Sequence, residues 1–310
     1  MTPAGGPPPR EVNGVLVVDK PAGPTSFDVV TRVRRLLRAG KAGHTGTLDP
    51  LATGVLAVCV GEAVKLQQFL CEGDKVYRAV FAFGCATTTE DAEGEITERG
   101  DPSRLDADAV RAGLARFVGD LEQLPPMYSA VRVAGRRLHE AARAGEEVVR
   151  TPRRVRVDAL ELLDLAGDGA ALRATVRVRC GKGTYVRTLA ADVGRSVGVP
   201  AHLAALRREQ AGPFRIEEAI TLAEAERLAA GDPDALARRL LPLEEALRGW
   251  PAIRLDGEAA RRLAQGQAVL VERASTGCLC RALDPDGQLL AVGSWRDGLL
   301  RPVRVLRAIR

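Results

Sequence analysis

No apolar run in this chain approaches the roughly 20 residues that a membrane-spanning helix needs. The opening stretch, Met1 to Glu11, is rich in proline and glycine and lacks the apolar core of a secretion signal. The expectation is a cytoplasmic protein with a flexible tail over residues 1–12. Histidine is scarce, at three residues in 310, and the three are scattered. With no strand–turn–helix serine elbow beside them, no hydrolase triad can be assembled. Six cysteines are present, but only Cys278 and Cys280 are close, and a lone C-x-C lacks the paired spacing of a zinc site. Cys59 and Cys180 fall in strand-like runs and read as small buried hydrophobes. No metal and no disulfide framework is called for. Internal repeats and long low-complexity segments are absent as well.

What is present is ordinary for a folded globular protein: 46% hydrophobic and 27% charged residues. The net charge of +5 and pI near 9.0 lean toward an anionic partner, with arginine as the dominant base. The densest local feature is Gly43-His44-Thr45-Gly46-Thr47-Leu48-Asp49-Pro50-Leu51-Ala52-Thr53-Gly54-Val55-Leu56. Its glycines permit backbone angles that other residues avoid and let a ligand approach the main chain. Asp49 precedes a proline, which holds it extended or in a turn. Val55 to Val60 reads as a buried strand, a rigid support for a loop carrying a single acid. Taken alone, the stretch is better accounted for as an Asp-Pro turn with packing glycines.

As a whole, however, the stretch resembles the active-site loop of the tRNA pseudouridine-55 synthases, the TruB family, whose signature is similar to G-H-T-G-T-L-D-P-x-A-T-G-V-L. Further segments resemble the same family. Lys20-Pro21-Ala22-Gly23 matches D-K-P-x-G, and Lys75-Val76-Tyr77 matches K-x-Y. Gly84 to Ile96 is similar to G-x-x-T-D-T-x-D-x-x-G, with Thr88 in place of the usual aspartate. Leu124 to Ala130 resembles Q-x-P-x-x-S-A. Lys182-Gly183-Thr184-Tyr185-Val186-Arg187 matches the K-G-T-Y-[IV]-R of the family's S-K-G-T-Y-[IV]-R. Ala201 to Arg208 matches A-H-x-x-x-L-R-R, and Glu209 replaces the threonine that often follows. The G-K-G-T fragment is no P-loop: Gly183 separates Lys182 from Thr184, where the motif needs Ser or Thr directly after the lysine.

The resemblance implies a mixed, largely antiparallel α/β catalytic domain over residues 13–250. It also implies an RNA-binding thumb at 124–154, dense in arginine, and by pattern a small all-β module of the PUA type over 251–310. The activity it implies is isomerisation of uridine 55 in the T-arm stem-loop of tRNA, with the base flipped out of its stack. Such chemistry asks for no nucleotide, redox cofactor or metal. Asp49 is implied as the essential carboxylate, with Arg187 as a cationic neighbour that lowers its pKa and keeps it ionised. Tyr77 stacks on the uracil, Tyr185 and Leu206 line the pocket, His44 takes the vacated space, and Lys20 lies near the loop. His139 and His202 read as surface and structural residues. The partner is tRNA and the enzyme a monomer; the alternative is a non-catalytic tRNA-binding or RNA-folding protein.

Along the chain, Gly14 to Asp19, Tyr77 to Phe83, Val155 to Leu165 and Ala171 to Cys180 read as strands. Helices are expected after a cap at Thr25 or Ser26, from Asp106 through Phe117, after Tyr185 through Val197, and from Thr221 through Ala230. Beyond Pro251 short alternating runs are separated by turns such as Asp284-Pro285-Asp286-Gly287.

Overall fold

The computed structural model describes residues 9–129, 132–133, 136–137, 148–167, 172–271 and 278–306. Much of the expected thumb, His139 included, lies outside the described residues.

The strands in chain order are β1 (Gly14–Lys20), β2 (Ala42–His44), β3 (Thr53–Val60), β4 (Lys75–Phe83), β5 (Cys85–Thr87), β6 (Ile96–Arg99) and β7 (Gly119–Gln123). After the short pair β8 (Arg132–Val133) and β9 (Arg136–Arg137) come β10 (Arg153–Ala166), β11 (Arg173–Cys180), β12 (Ala201–Ala211), β13 (Phe214–Arg215) and β14 (Ile220–Thr221). A ten-stranded sheet runs β14-β1-β3-β12-β4-β11-β10-β7, with β2 added to β3 and β13 to β12. Only the β1–β14 and β3–β12 pairs are parallel. The sheet is therefore mixed and largely antiparallel.

Burial explains the two textures of its strands. β1 and β3 are covered on both faces: Val15, Val17, Val55 and Ala57 enter one apolar cluster, while Leu16, Val18, Leu56 and Val58 enter another with the helix Ser26–Leu36. Strands buried on both faces read as continuous apolar runs. β4 alternates instead. Tyr77, Ala79, Phe81 and Phe83 join Val176, Leu189 and Leu203 in a third cluster, and Arg78 faces out to Glu209.

The helix Ser26–Leu36 starts at a complete capping box, in which Thr25 and Asp28 satisfy each other's backbone N–H. Such a cap contributes about 1 kcal/mol. Ser26 also anchors the glycine-rich loop: its Oγ accepts from Leu48 N–H at 2.8 Å and donates to Leu48 O at 3.0 Å. The helix Val186–Ser196 packs against β12, and at Gly194 a Cβ would stand 2.6 Å from that of Ala201. The central strand β12 was not foreseen, because its Ala, Leu, Arg, Glu and Gln residues carry helical rather than strand propensity. Its place between β3 and β4 overrides that preference.

Beyond Pro251 a second sheet is ordered β15-β17-β18-β19-β16, from β15 (Ala252–Arg254), β16 (Val269–Leu270), β17 (Cys278–Leu283), β18 (Leu289–Arg296) and β19 (Leu299–Val305). A helix, Gly257–Ala264, covers it with Ala260 and Leu263 and is capped by Asp256. No helix among the described residues is long and apolar enough to cross a membrane.

Candidate active site

The glycine-rich loop leaves β2 at His44 and returns into β3 at Thr53. Three buried cations fix it. The Lys20 ammonium, fully buried, donates to Pro21 O, to Pro50 O at 3.1 Å and to Ala52 O at 2.7 Å. Arg208, also buried, donates to Gly46 O, Thr47 O and Val55 O. Arg187 closes the third side. Gly54 allows the close approach this requires: at φ +99° it lies opposite Arg208 in the parallel β3–β12 register, and a Cβ there would meet Arg208 O at 2.2 Å.

Asp49 sits in the middle of this loop and faces a cavity of about 330 Å³. Arg187 Nε lies 2.9 Å from Asp49 Oδ2, and its Nη1 lies 3.5 Å from Asp91 Oδ2. The remaining guanidinium donors reach Thr89 O at 3.0 Å and Tyr128 O at 2.8 Å. A planar fork held by two carboxylates and two carbonyls has little freedom to turn.

Of the expected site residues, Asp49, Tyr77, Tyr185, Arg187 and Leu206 line this one cavity. They come from the loop, β4, the start of the helix Val186–Ser196 and β12. Lys20 and His44 are not among its lining residues. Lys20 holds the loop through carbonyls, while His44 Nδ1 accepts the Gly46 N–H at 3.2 Å. Burial, with Arg208 second, holds the His44 pKa below its ordinary 6.5, which suits an accepting, neutral imidazole. The expectation that Asp49 has a lowered pKa is corrected. Its side chain keeps 35% of its surface toward the cavity, yet burial is the leading influence and raises the pKa above 3.8; Arg187 opposes this and Asp91 adds to it. Tyr77 is likewise raised by burial, so its hydroxyl keeps its proton. Burial also lowers Lys20 to about 8.

Arg208 and Asp91 were not singled out from the sequence. The signal was available, since both fall inside matched motifs, but nothing in a motif says which arginine of an Arg-Arg pair is buried. Here Arg207 turns to the outer face and Asp19, and Arg208 turns inward. Thr88, where the family pattern has aspartate, is exposed and caps Glu95 N–H. Its neighbours Thr89 and Asp91 make the contacts with Arg187. Gly194-Arg195-Ser196-Val197-Gly198 has the letters of a nucleophile elbow but ends a helix, with the Ser196 hydroxyl donating to Val193 O. Among the described residues, no group of three or more His, Cys, Asp or Glu side chains could hold a metal ion.

Known proteins similar to this chain are numerous. Residues 34–186 match the TruB family pseudouridylate synthase (N terminal domain), residues 187–248 the tRNA pseudouridylate synthase B C-terminal domain, and residues 251–306 the pseudouridine synthase II TruB C-terminal domain. The chain is 46% identical over 310 residues to tRNA pseudouridine synthase B of Cupriavidus metallidurans, covering 97% of this chain and 96% of that one. It is 45% identical over 301 residues to the protein of the same name in Stutzerimonas stutzeri, covering 96% and 97%. Among solved structures, a chain of a Cbf5-Nop10-Gar1 complex superposes with a TM-score of 0.73 at 26% identity, over 95% of this chain and 85% of that one. A chain of an H/ACA RNP bound to a substrate RNA containing 2'-deoxyuridine superposes equally well, at 25% identity. A single carboxylate on the family's loop, facing a cavity and clamped by a buried arginine, thus occurs in a chain whose whole length matches that family: this protein belongs to the TruB family of pseudouridylate synthases.

Proposed function

We propose that this pseudouridine synthase acts on tRNA, converting uridine 55 in the T-arm stem-loop to pseudouridine. The observation that carries the reading is the Asp49–Arg187 pair at 2.9 Å on the wall of the cavity. In the reaction the N1–C1′ bond breaks, the detached uracil turns, C5 bonds to C1′, and the C5 proton is released as N1 gains one. Atoms balance within the nucleotide, and no electron acceptor is consumed.

Asp49 supplies the ionised oxygen, either by attack on C1′ or by assisting loss of the C2′ proton to give a glycal. Arg187 favours its ionised form against the pull of burial and fixes its direction. Tyr77 offers a π-face for the flipped uracil, a contact of about 1–3 kcal/mol, and its protonated hydroxyl serves as a relay for the C5 proton. Tyr185 and Leu206 close the pocket around the base. Lys20 and His44 hold the loop from behind, and His44 takes the space that the flipped base leaves. We extend the reading to a monomeric enzyme working where tRNA is processed, in the cytoplasm. We assign residues 13–250 to the catalytic domain, with its thumb at 124–154, and residues 251–310 to a PUA-like RNA-binding module.

The test is incubation with an unmodified tRNA transcript, followed by carbodiimide-dependent primer extension. The expected outcome is one new stop, adjacent to position 55 and lost when that uridine is replaced by cytidine. Modification at another uridine would overturn the assignment of position, and none at all would favour a binding or RNA-folding protein.

A further inference from the structure

The solvent face of the helix Ser26–Leu36 has no role in the site described above, and its composition is one-sided. At 100° per residue, Phe27, Thr31 and Arg34 fall in one narrow stripe, with Arg35 at its edge, and Arg38 follows just past the helix end. The opposite side buries Val29, Val30 and Val33. Phe27 is 73% exposed. With Pro9 and Ala39, residues Thr31, Arg34, Arg35 and Arg38 line an open groove of about 470 Å³.

Neighbouring arginines are neutralised: Arg32 pairs with Glu226, and Arg10 with Asp234. Arg34, Arg35 and Arg38 have no ion pair among the described residues. Residues 1–8, which precede the groove, carry no acidic side chain that could neutralise them. Arg34 and Arg35 do lie in the last turn, where the helix dipole favours cations. That accounts for their tolerance but not for the third cation at Arg38, which occupies a left-handed backbone position (φ 52°) where glycine is the usual residue.

The place of the stripe matters. Its helix begins at the active-site loop, through Ser26 and Leu48, and runs away from it, so Arg34 and Arg35 stand about 12–14 Å along the axis from that end. The helix packs on β1 and β3. The arginines at the thumb's base, Arg153 and Arg154, belong to β10, five strand spacings or about 24 Å across the sheet. Along the strand order, the cavity residues on β12 and β4 fall between these two arginine groups.

We propose that the Phe27–Arg38 stripe is a second RNA-contact surface, engaging backbone phosphates of the folded tRNA outside its T-arm stem-loop. This rests on the tRNA reading above and adds to it where the rest of the substrate lies. Three unneutralised guanidiniums suit a polyanion, and Phe27 presents a ring for stacking at the end nearer the cavity.

The test compares two ligands, a full-length unmodified tRNA transcript and its isolated T-arm hairpin, each titrated by filter binding across a salt series. The variant is Arg34→Gln, Arg35→Gln and Arg38→Gln together, which keeps side-chain length and helix propensity. A thermal melt checks that it is folded. The expected result is a roughly tenfold weaker dissociation constant for full-length tRNA, with the slope of log affinity against log salt shallower by about 2–3. Hairpin affinity should stay within about twofold of the parent. Equal weakening on both ligands would place the stripe within the T-arm site and overturn the proposal. No weakening on either would return these arginines to a solvated helix end. Failure of the tRNA reading would show differently, as absence of pseudouridine from the unaltered protein.

Discussion

At the scale of single residues, burial and charge divide control of Asp49, the carboxylate proposed to carry the chemistry. Burial raises its pKa and Arg187 opposes the rise. In the proposed mechanism the active form is ionised, so single-turnover rate should fall as pH drops through that raised pKa, with an acid limb above the 3.8 of an ordinary aspartate. Replacing Arg187 with Gln removes the largest lowering influence and should move the limb to still higher pH; an unmoved limb would detach Arg187 from the titration. Asp49→Asn keeps size and most hydrogen bonding but removes the ionised oxygen. Product should drop below detection while the tRNA dissociation constant changes by less than about tenfold, or 1.4 kcal/mol. Turnover like that of the parent would remove Asp49 from the mechanism. Lys20 gives a test of stability instead. Its folded pKa of about 8 lies below the ordinary 10.5, so between these values the unfolded chain binds more protons and stability gains with rising pH at this site. Lys20→Met should abolish that gain, read as the difference between parent and variant melts from about pH 8 to 10.5. It should also cost about 1–3 kcal/mol through the carbonyls of Pro50 and Ala52, which lose their donor.

Between elements, the catalytic loop is positioned by contacts whose partners lie far apart in the chain. Ser26 ties the loop to a helix, and Arg208 ties it to β12 across the sheet. Gly54 is the narrowest point, where β3 passes the backbone of β12. Gly54→Ala combines a left-handed φ with a contact of 2.2 Å to a carbonyl oxygen that is fixed in a strand. Neither element can move without disturbing the loop on one side or Leu206 on the other. The expected cost is at least about 3 kcal/mol, measured as a shift of the denaturation midpoint. A shift corresponding to less than about 1 kcal/mol would show that the strands can separate without penalty.

For the whole molecule, the C-terminal sheet is more than an appendage. Leu289, Val292 and Leu306 sit in the same buried cluster as Val15, Val17, Phe214 and Leu247. The Arg281 guanidinium bridges back to Trp250 O and Glu244 O, each at 3.1 Å. Truncation after Pro251 removes three apolar side chains that are nearly or fully buried and uncovers the partners they pack on. At roughly 1.5–3 kcal/mol per such side chain, the remaining chain should melt well below the parent and bind a hydrophobic dye. An unchanged melting temperature would show that the cluster contributes nothing across this boundary.

Motifs and periodicity determine much of this protein from the sequence. Continuous apolar runs mark β1 and β3, alternation marks β4 and β11, and the Gly43–Leu56 match places Asp49 on a loop ahead of a strand. These features are local, set by neighbours within a few residues. What the sequence leaves open depends on partners distant in the chain. β12 carries helical propensity, and only its neighbours β3 and β4 make it a strand. Arg207 and Arg208 are the same residue type one position apart, and the pleat of that strand sends one to the outer face and the other beneath the loop. The direction of the Asp49 pKa was inverted for a related reason. A motif names the arginine beside the carboxylate but not how closely the protein surrounds the pair, and in the folded chain burial outweighs the nearby charge.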